Sequence, residues 1–122
     1  MEENTDVKFN NLLINKFPDL KEDFNKNTSW QDGLETSIIL TYEDVFVPYI
    51  VNQLNSNNLD EITKIVNLIE DMITSNDDYL YNVALIGVLE ALRGKEDGQK
   101  IRDYLREKSL EEYDNLEIYK KH

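Results

Sequence analysis

The sequence contains no cysteine, and its only histidine is the last of its 122 residues. The missing thiols exclude disulfides, zinc bound by thiolates and a cysteine nucleophile, and they agree with a reducing compartment. A single histidine at the chain end also argues against a Ser-His-Asp triad, an H-E-x-x-H zinc helix and a histidine phosphorelay. Enzyme classes that depend on these two side chains are therefore set aside.

Glycine, proline and long apolar runs are also scarce. The four glycines are scattered and form neither the G-x-x-x-x-G-K-[ST] nor the G-x-G-x-x-G phosphate-binding motif. The longest apolar run, residues 83–89, is far shorter than the ~20 residues that span a bilayer. The N-terminus lacks the basic and apolar segments of a secretory signal, so we expect a cytoplasmic protein.

Basic residues are outnumbered, because 13 lysines and arginines stand against 25 aspartates and glutamates, for a formal net charge of −12. Nucleic-acid phosphates and anionic lipids would meet a like-charged surface, so we expect neither nucleic acid nor membrane as a partner. A basic protein is the favoured partner. With 40% apolar and 31% charged residues, the chain is typical of one globular domain over residues 1–122.

Apolar residues recur at helical spacing along most of the chain. We predict an all-α domain of five to six helices stacked as antiparallel hairpins, either HEAT-like or as an irregular bundle. The longer predicted helices cover residues 5–16, 42–54, 59–74, 77–93, 96–108 and 109 onwards. Residues 25–33 are predicted to form an exposed loop around Trp30, and residues 34–40 fit both a strand and a helix.

Local signals mark several helix starts and one interruption. Three pairs have a polar residue followed three positions later by an acid, as in a capping box: Thr41 with Asp44, Asn58 with Glu61, and Ser109 with Glu112. Pro48 should kink its helix, because it lacks an N–H and its ring collides with the preceding turn. Residues 83–92 are apolar around nearly the whole circumference, so this helix should be central.

Carboxylate pairs are the remaining route to catalysis, since Mg²⁺ needs clustered oxygen ligands, as in all-α pyrophosphohydrolases. The candidates are Glu43 with Asp44, Glu70 with Asp71, Glu90, and Glu107 with Glu111. Helix capping explains the candidates that lie in the first turns of helices, and a chain with this many acidic residues contains such pairs by chance. We interpret them as solvated acidic faces, with Arg93 pairing Glu90 locally, and assign no catalytic, metal-binding or cofactor-binding residue.

Acidic and aromatic residues gather around one predicted turn between helices. Tyr79 and Tyr81 follow a pair of aspartates in a first turn, and another acidic pair precedes the turn. Such a cluster suits recognition of a basic partner. We predict a partner-binding surface made of Glu70, Asp71, Asp77, Asp78, Tyr79 and Tyr81.

The order of several short motifs resembles a family of small helical bacterial proteins of unassigned function. The motifs are Phe17-Pro18-Asp19-Leu20, a loop with Trp30, Phe46-Val47-Pro48-Tyr49-Ile50, residues 65–72, and Asn82-Val83 leading to residues 88–92. The resemblance covers residues 9–105. Several members accompany secreted polymorphic toxins as proposed immunity proteins, so the resemblance implies that role here. Glu70 and Glu90 match acidic positions of the family pattern, which assigns them no catalytic role, whereas Leu68 and Ile69 replace an aromatic of that pattern.

The leading hypothesis is therefore a non-enzymatic, cytoplasmic protein-binding protein, an immunity protein that occludes a cognate toxin. The acidic charge would speed capture of a basic toxin, and nuclease toxins are usually basic because they bind phosphates. Two alternatives stay open. One is a metal-dependent hydrolase that uses the carboxylates named above, and the other is a helical adaptor within a larger bacterial assembly.

Overall fold

The computed structural model describes residues 5–22 and 41–120, with side chains described for residues 7–22 and 41–116. Every regular element in these ranges is helical and none is a strand, which confirms the predicted all-α class. The predictions for residues 25–33, for Trp30 and for residues 34–40 lie outside the described residues.

Five longer helices and two 3₁₀ segments make up the described chain. Their bounds are α1, Thr5–Lys16; a 3₁₀ turn, Pro18–Leu20; α2, a π-helix Tyr42–Phe46 continuing as an α-helix Val47–Ser56; α3, Leu59–Thr74; α4, an α-helix Asp78–Asn82 continuing as a π-helix Val83–Glu90 and an α-helix Ala91–Arg93; a 3₁₀ helix, Asp97–Tyr104; and α5, Glu107–Lys120. The last helix packs against α3 and α4, and the 3₁₀ helix packs against α2 and the end of α4.

The first helix is anchored by aromatic packing. It ends before Pro18, as predicted, and Phe17 is buried with its ring centroid 5.2 Å from that of Phe46 and 5.9 Å from that of Tyr49. The side chain of Leu12 is 39% exposed. Leu13, one position on, is fully buried and faces the core instead.

A hydrogen bond joins α2 to α3 beside this aromatic contact. The Tyr49 hydroxyl donates to Oε2 of Glu61 at 2.5 Å, and the Lys64 ammonium donates to Oε1 at 3.1 Å. The Tyr49 hydrogen bond is the main cause of the lowered pKa of Glu61. Burial and the nearby Glu61 charge raise the pKa of Tyr49. This polar contact fixes the two helices beside the buried ring of Phe17.

The start of α2 differs from the prediction. Thr41 does not cap it, because its backbone is already helical at φ −61° and ψ −46° and its side chain makes no capping hydrogen bond. An N-cap residue needs non-helical dihedrals. The π-helical segment ends at Phe46, two residues before Pro48, which cannot donate to the carbonyl of Asp44. The widened turn therefore stands where the proline was predicted to distort the helix.

The turn from α2 to α3 forms as its asparagines predict. Asn57 has left-handed dihedrals, φ 55° and ψ 36°, and the N–H of Asn58 reaches back to the carbonyl of Gln53 at 3.1 Å, as in a Schellman motif. Asn58 then caps α3, since its Oδ1 accepts the N–H of Glu61 at 3.4 Å. The Asn58 cap is confirmed, and the short turn makes α2 and α3 an antiparallel hairpin.

The core is formed mainly by α2, α3 and α4. The buried side chains of α3 are Ile62, Ile65, Val66, Leu68, Ile69, Met72 and Ile73, and those of α4 are Leu80, Val83, Ala84, Val88, Leu89 and Leu92. The predicted central position of α4 is confirmed for these residues. The helix is not covered on every side, however, because Ile86 is 49% exposed.

The helix predicted over residues 96–108 is present over a shorter range and as a 3₁₀ helix, and its predicted end at Lys108 is wrong. The chain forms a 3₁₀ helix that ends at Tyr104. The next residue, Leu105, is extended with φ −63° and ψ 147°, and α5 then begins at Glu107. Gly98 lies against the end of α4, where a Cβ would come within 2.4 Å of the carbonyl oxygen of Leu92. The 3₁₀ helix thus approaches the backbone of the preceding helix closely at Gly98.

Candidate binding site

The six predicted partner-binding residues lie on the end of α3 and the beginning of α4, on either side of a short turn. Three of them, Asp71, Asp77 and Asp78, are exposed. Asp77 also caps α4, because its Oδ1 accepts the N–H of Tyr79 at 2.9 Å and that of Leu80 at 3.3 Å. We call the exposed aspartates the acidic corner.

The sequence around the acidic corner contains charge of one sign only. No lysine, arginine or histidine occurs between Lys64 and Arg93, whereas five acidic residues do. Helix N-termini favour nearby negative charge, which accounts for Asp77 and Asp78 structurally. Asp71 lies near the other end of a helix, where the dipole gives it no such stabilisation.

Glu70 occupies a different environment from its neighbour Asp71. It is half-buried, its Oε1 accepts the N–H of Ser109 at 2.9 Å, and its Oε2 accepts the N–H of Lys108 at 3.2 Å. Both carboxylate oxygens therefore satisfy backbone donors in the first turn of α5. A role of Glu70 in partner binding stays a prediction, while its carboxylate already fixes the last helix to α3.

The predicted capping box of Ser109 with Glu112 is wrong. Because α5 begins at Glu107, Ser109 is the third helical residue, and its Oγ accepts the N–H of Arg106 at 3.1 Å. In a capping box an acid or amide at this position usually makes that backward contact. Ser109 makes it here, and Glu70 of α3 supplies the acceptor that an N-cap side chain would otherwise provide.

The electrostatics of Glu70 agree with this capping role. Partial burial alone would raise the pKa of Glu70, but the hydrogen bonds from Ser109 and Lys108 and the charge of Arg106 outweigh it and lower the pKa. The guanidinium of Arg106 also donates to Oδ1 of Asn67 at 2.8 Å. The start of α5 is thus attached to α3 at two positions one helical turn apart.

Tyr81 connects α4 to α5. Its hydroxyl donates to Oε2 of Glu112 at 2.6 Å, and a cavity lies on either side of this hydrogen bond. The α4–α5 cavity, of about 300 Å³, is lined by Tyr81, Leu85, Glu112, Asn115 and Leu116. The α3–α5 cavity, of about 290 Å³, is lined by Ile73, Thr74, Tyr81, Lys108 and Glu112.

One family model matches nearly the whole chain, including the acidic corner and both cavities. The model is described as a domain of unknown function, DUF7674, and it matches residues 10–121. The chain belongs to this family. No curated protein and no solved structure matches the chain. The match confirms the prediction that the chain belongs to a family of unassigned function.

Sequence reasoning found one side of the Tyr81–Glu112 contact and missed the other. The sequence points to Tyr81 because it follows the aspartates Asp77 and Asp78, whereas the spacing of Glu112 predicts a capping box with Ser109. The two residues are 31 positions apart, and no local spacing pairs them. Asn115 and Leu116, which also line the α4–α5 cavity, carry no signal beyond the amphipathic pattern of α5.

The other candidate acids of the DUF7674 domain are dispersed. Glu43 and Asp44 are exposed at the start of α2, and Glu90 is half-buried in α4. Among residues 5–22 and 41–120, no group of three or more histidine, cysteine, aspartate or glutamate side chains is arranged to hold a metal ion. The guanidinium carbon of Arg93 lies 5.6 Å from the ring centroid of Tyr113.

Within residues 5–22 and 41–120, no helix has the length and apolarity needed to cross a bilayer.

Proposed function

We propose that this DUF7674 domain is a non-enzymatic cytoplasmic protein that binds a basic partner protein, and that this partner is a bacterial toxin which it neutralises as an immunity protein. The observation that carries the proposal is the acidic corner, where Asp71, Asp77 and Asp78 are exposed. It lies on the helices that flank the two cavities at Tyr81. A charged rim beside recessed aromatic and apolar side chains is the usual anatomy of a binding surface.

The physical argument concerns capture and occlusion. A domain with a formal net charge of −12 attracts a cationic protein over several ångströms and so raises the rate of encounter. Nuclease toxins present basic surfaces because they bind phosphates, and an acidic protein that docks there blocks the same surface. Charge gives speed and selectivity, while the recessed side chains at Tyr81 supply contacts that resist dissociation.

The first test is genetic. An immunity gene is expected directly beside the gene of its toxin, so the neighbouring reading frame supplies the candidate partner. Co-expression of the full chain should restore growth to cells that express this neighbour, and the two purified proteins should form a complex of defined stoichiometry. Lack of both rescue and binding with a toxic neighbour would contradict the proposed function.

A further inference from the structure

The α4–α5 cavity has a charge pattern that the α3–α5 cavity lacks. Its described lining combines one carboxylate, one carboxamide and three largely apolar side chains, and it includes no cation. The α3–α5 cavity includes Lys108, whose ammonium lies 3.7 Å from Oε2 of Glu111. A cationic guest therefore suits the first cavity better than the second.

The carboxylate of this cavity has room for another donor. Glu112 is half-buried, and among the described side chains the hydroxyl of Tyr81 is its one hydrogen-bond partner, through Oε2. Oε1 is left to accept from a guest. A partly desolvated carboxylate is stabilised most by charge-assisted hydrogen bonds, which are roughly twice as strong as neutral ones.

We infer that the α4–α5 cavity receives an arginine side chain of the partner protein. A guanidinium can donate to Glu112 while its plane lies on the ring of Tyr81, and Asn115 offers a further acceptor. The methylene groups of the same side chain would pack between Leu85 and Leu116. Arginine is preferred to lysine because its ion is planar, more weakly hydrated and able to stack.

The size of the cavity agrees with one inserted side chain. About 300 Å³ is at the lower limit of small-molecule sites. Arginine is also among the residues that most often form hot spots of protein interfaces. This inference rests on the proposed function, because it names the group through which the basic partner is held.

The direct test uses a short peptide and needs no toxin. The full chain, with labelled leucine methyl groups, is titrated with acetyl-Gly-Arg-Gly-amide and, separately, with the citrulline peptide, which has the same shape without the charge. We expect saturable NMR shifts at Leu85 and Leu116 with the arginine peptide only, at a dissociation constant on the order of 1 mM. Equal shifts with both peptides, or shifts confined to other residues, would overturn the inference.

A pair of variants isolates the carboxylate. Glu112→Gln keeps an oxygen that can accept from Tyr81 but removes the charge, and it should weaken binding of the arginine peptide by about tenfold. Glu111→Gln changes the adjacent residue, which pairs with Lys108 outside this cavity, and should leave binding within about twofold. Equal weakening by both folded variants would contradict a site at Glu112. Toxin neutralisation is measured separately by growth rescue. Failure of the arginine site can therefore be distinguished from failure of the proposed function.

Discussion

The carboxylate of Glu70 in α3 accepts the backbone N–H of Ser109 at 2.9 Å, so a residue 39 positions earlier in the chain caps the last helix. The N–H of Lys108 donates to the other carboxylate oxygen at 3.2 Å. Helix N-termini carry unpaired donors and a partial positive charge, and a carboxylate satisfies both. Because Glu112 belongs to α5, this cap also helps to position the residue that joins Tyr81 at the two cavities.

Removal of the cap should destabilise the fold. Glu70→Ala is expected to lower the free energy of unfolding by about 1–2 kcal/mol, because two backbone donors lose their partner. Urea unfolding monitored by circular dichroism measures this change. Asp71→Ala is the matched control, since Asp71 is exposed on the same helix and its loss should change stability by less than about 0.5 kcal/mol. Equal destabilisation by the two variants would contradict the capping role.

The same contact predicts a dependence on pH. The pKa of Glu70 in the folded protein lies below its ordinary value of 4.5, so the unfolded chain binds more protons than the folded chain when the pH falls into this range. The stabilisation by Glu70 is therefore present above pH 4.5 and is lost as the pH falls through the folded pKa. The difference in unfolding free energy between the wild type and Glu70→Gln should accordingly shrink between pH 7 and pH 3. A difference that stays constant over this range would show that the charge of Glu70 plays no part.

The features that could be predicted correctly from the sequence depend only on residues that are close together in the chain. The amphipathic spacing of α3 and the Asn58 cap are local patterns, and both occur in the structure. The capping box predicted at Ser109 does not form although its local motif is present, because Glu70 of another helix accepts the N–H of Ser109 that Glu112 would accept in such a box. Tertiary contacts of this kind leave no spacing signal in one sequence.

The candidate site also combines features that the sequence predicts with features that it does not. The acidic corner could be predicted, because Asp77 and Asp78 are consecutive and precede one helical pattern, and Asp71 lies near the end of the pattern before it. The cavities could not, because they depend on how α5 lies against α3 and α4. The 3₁₀ winding of residues 97–104 likewise accompanies a tertiary feature, the close approach of Gly98 to the backbone of Leu92.

Two glycines should respond in opposite ways to alanine. At Gly98 a Cβ would lie 2.4 Å from the carbonyl oxygen of Leu92, so Gly98→Ala should destabilise the protein by about 1–3 kcal/mol through backbone displacement. At Gly94 the nearest atom is 3.5 Å away and the backbone is helical, so Gly94→Ala should stabilise by about 0.4–1 kcal/mol. Thermal melts of the two variants against the wild type test this pair. Tolerance of alanine at Gly98 would argue against the close approach of the 3₁₀ helix to α4.

The acidic corner should control how fast the partner binds. Asp71→Lys with Asp78→Lys reverses two exposed charges and keeps the Asp77 cap of α4, so the fold is expected to survive. Association with the toxin encoded beside the gene should slow by about tenfold or more at low salt, with a smaller change in dissociation. The difference should shrink as the Debye length falls to ~8 Å at about 0.15 M ionic strength.

A second double variant tests whether position matters or only total charge. Asp60→Lys with Glu96→Lys makes the same change in net charge at exposed sites, and Asp60, like Asp78, lies in a helix first turn. Asp60 is about 16 Å along the axis of α3 from Asp71, and Glu96 follows the far end of α4. Surface plasmon resonance at several salt concentrations should give a smaller loss of association rate for this control. Equal slowing of association by the two folded double variants would assign the effect to net charge. An unchanged association rate in the variant with Asp71→Lys and Asp78→Lys would refute the acidic corner as the docking surface.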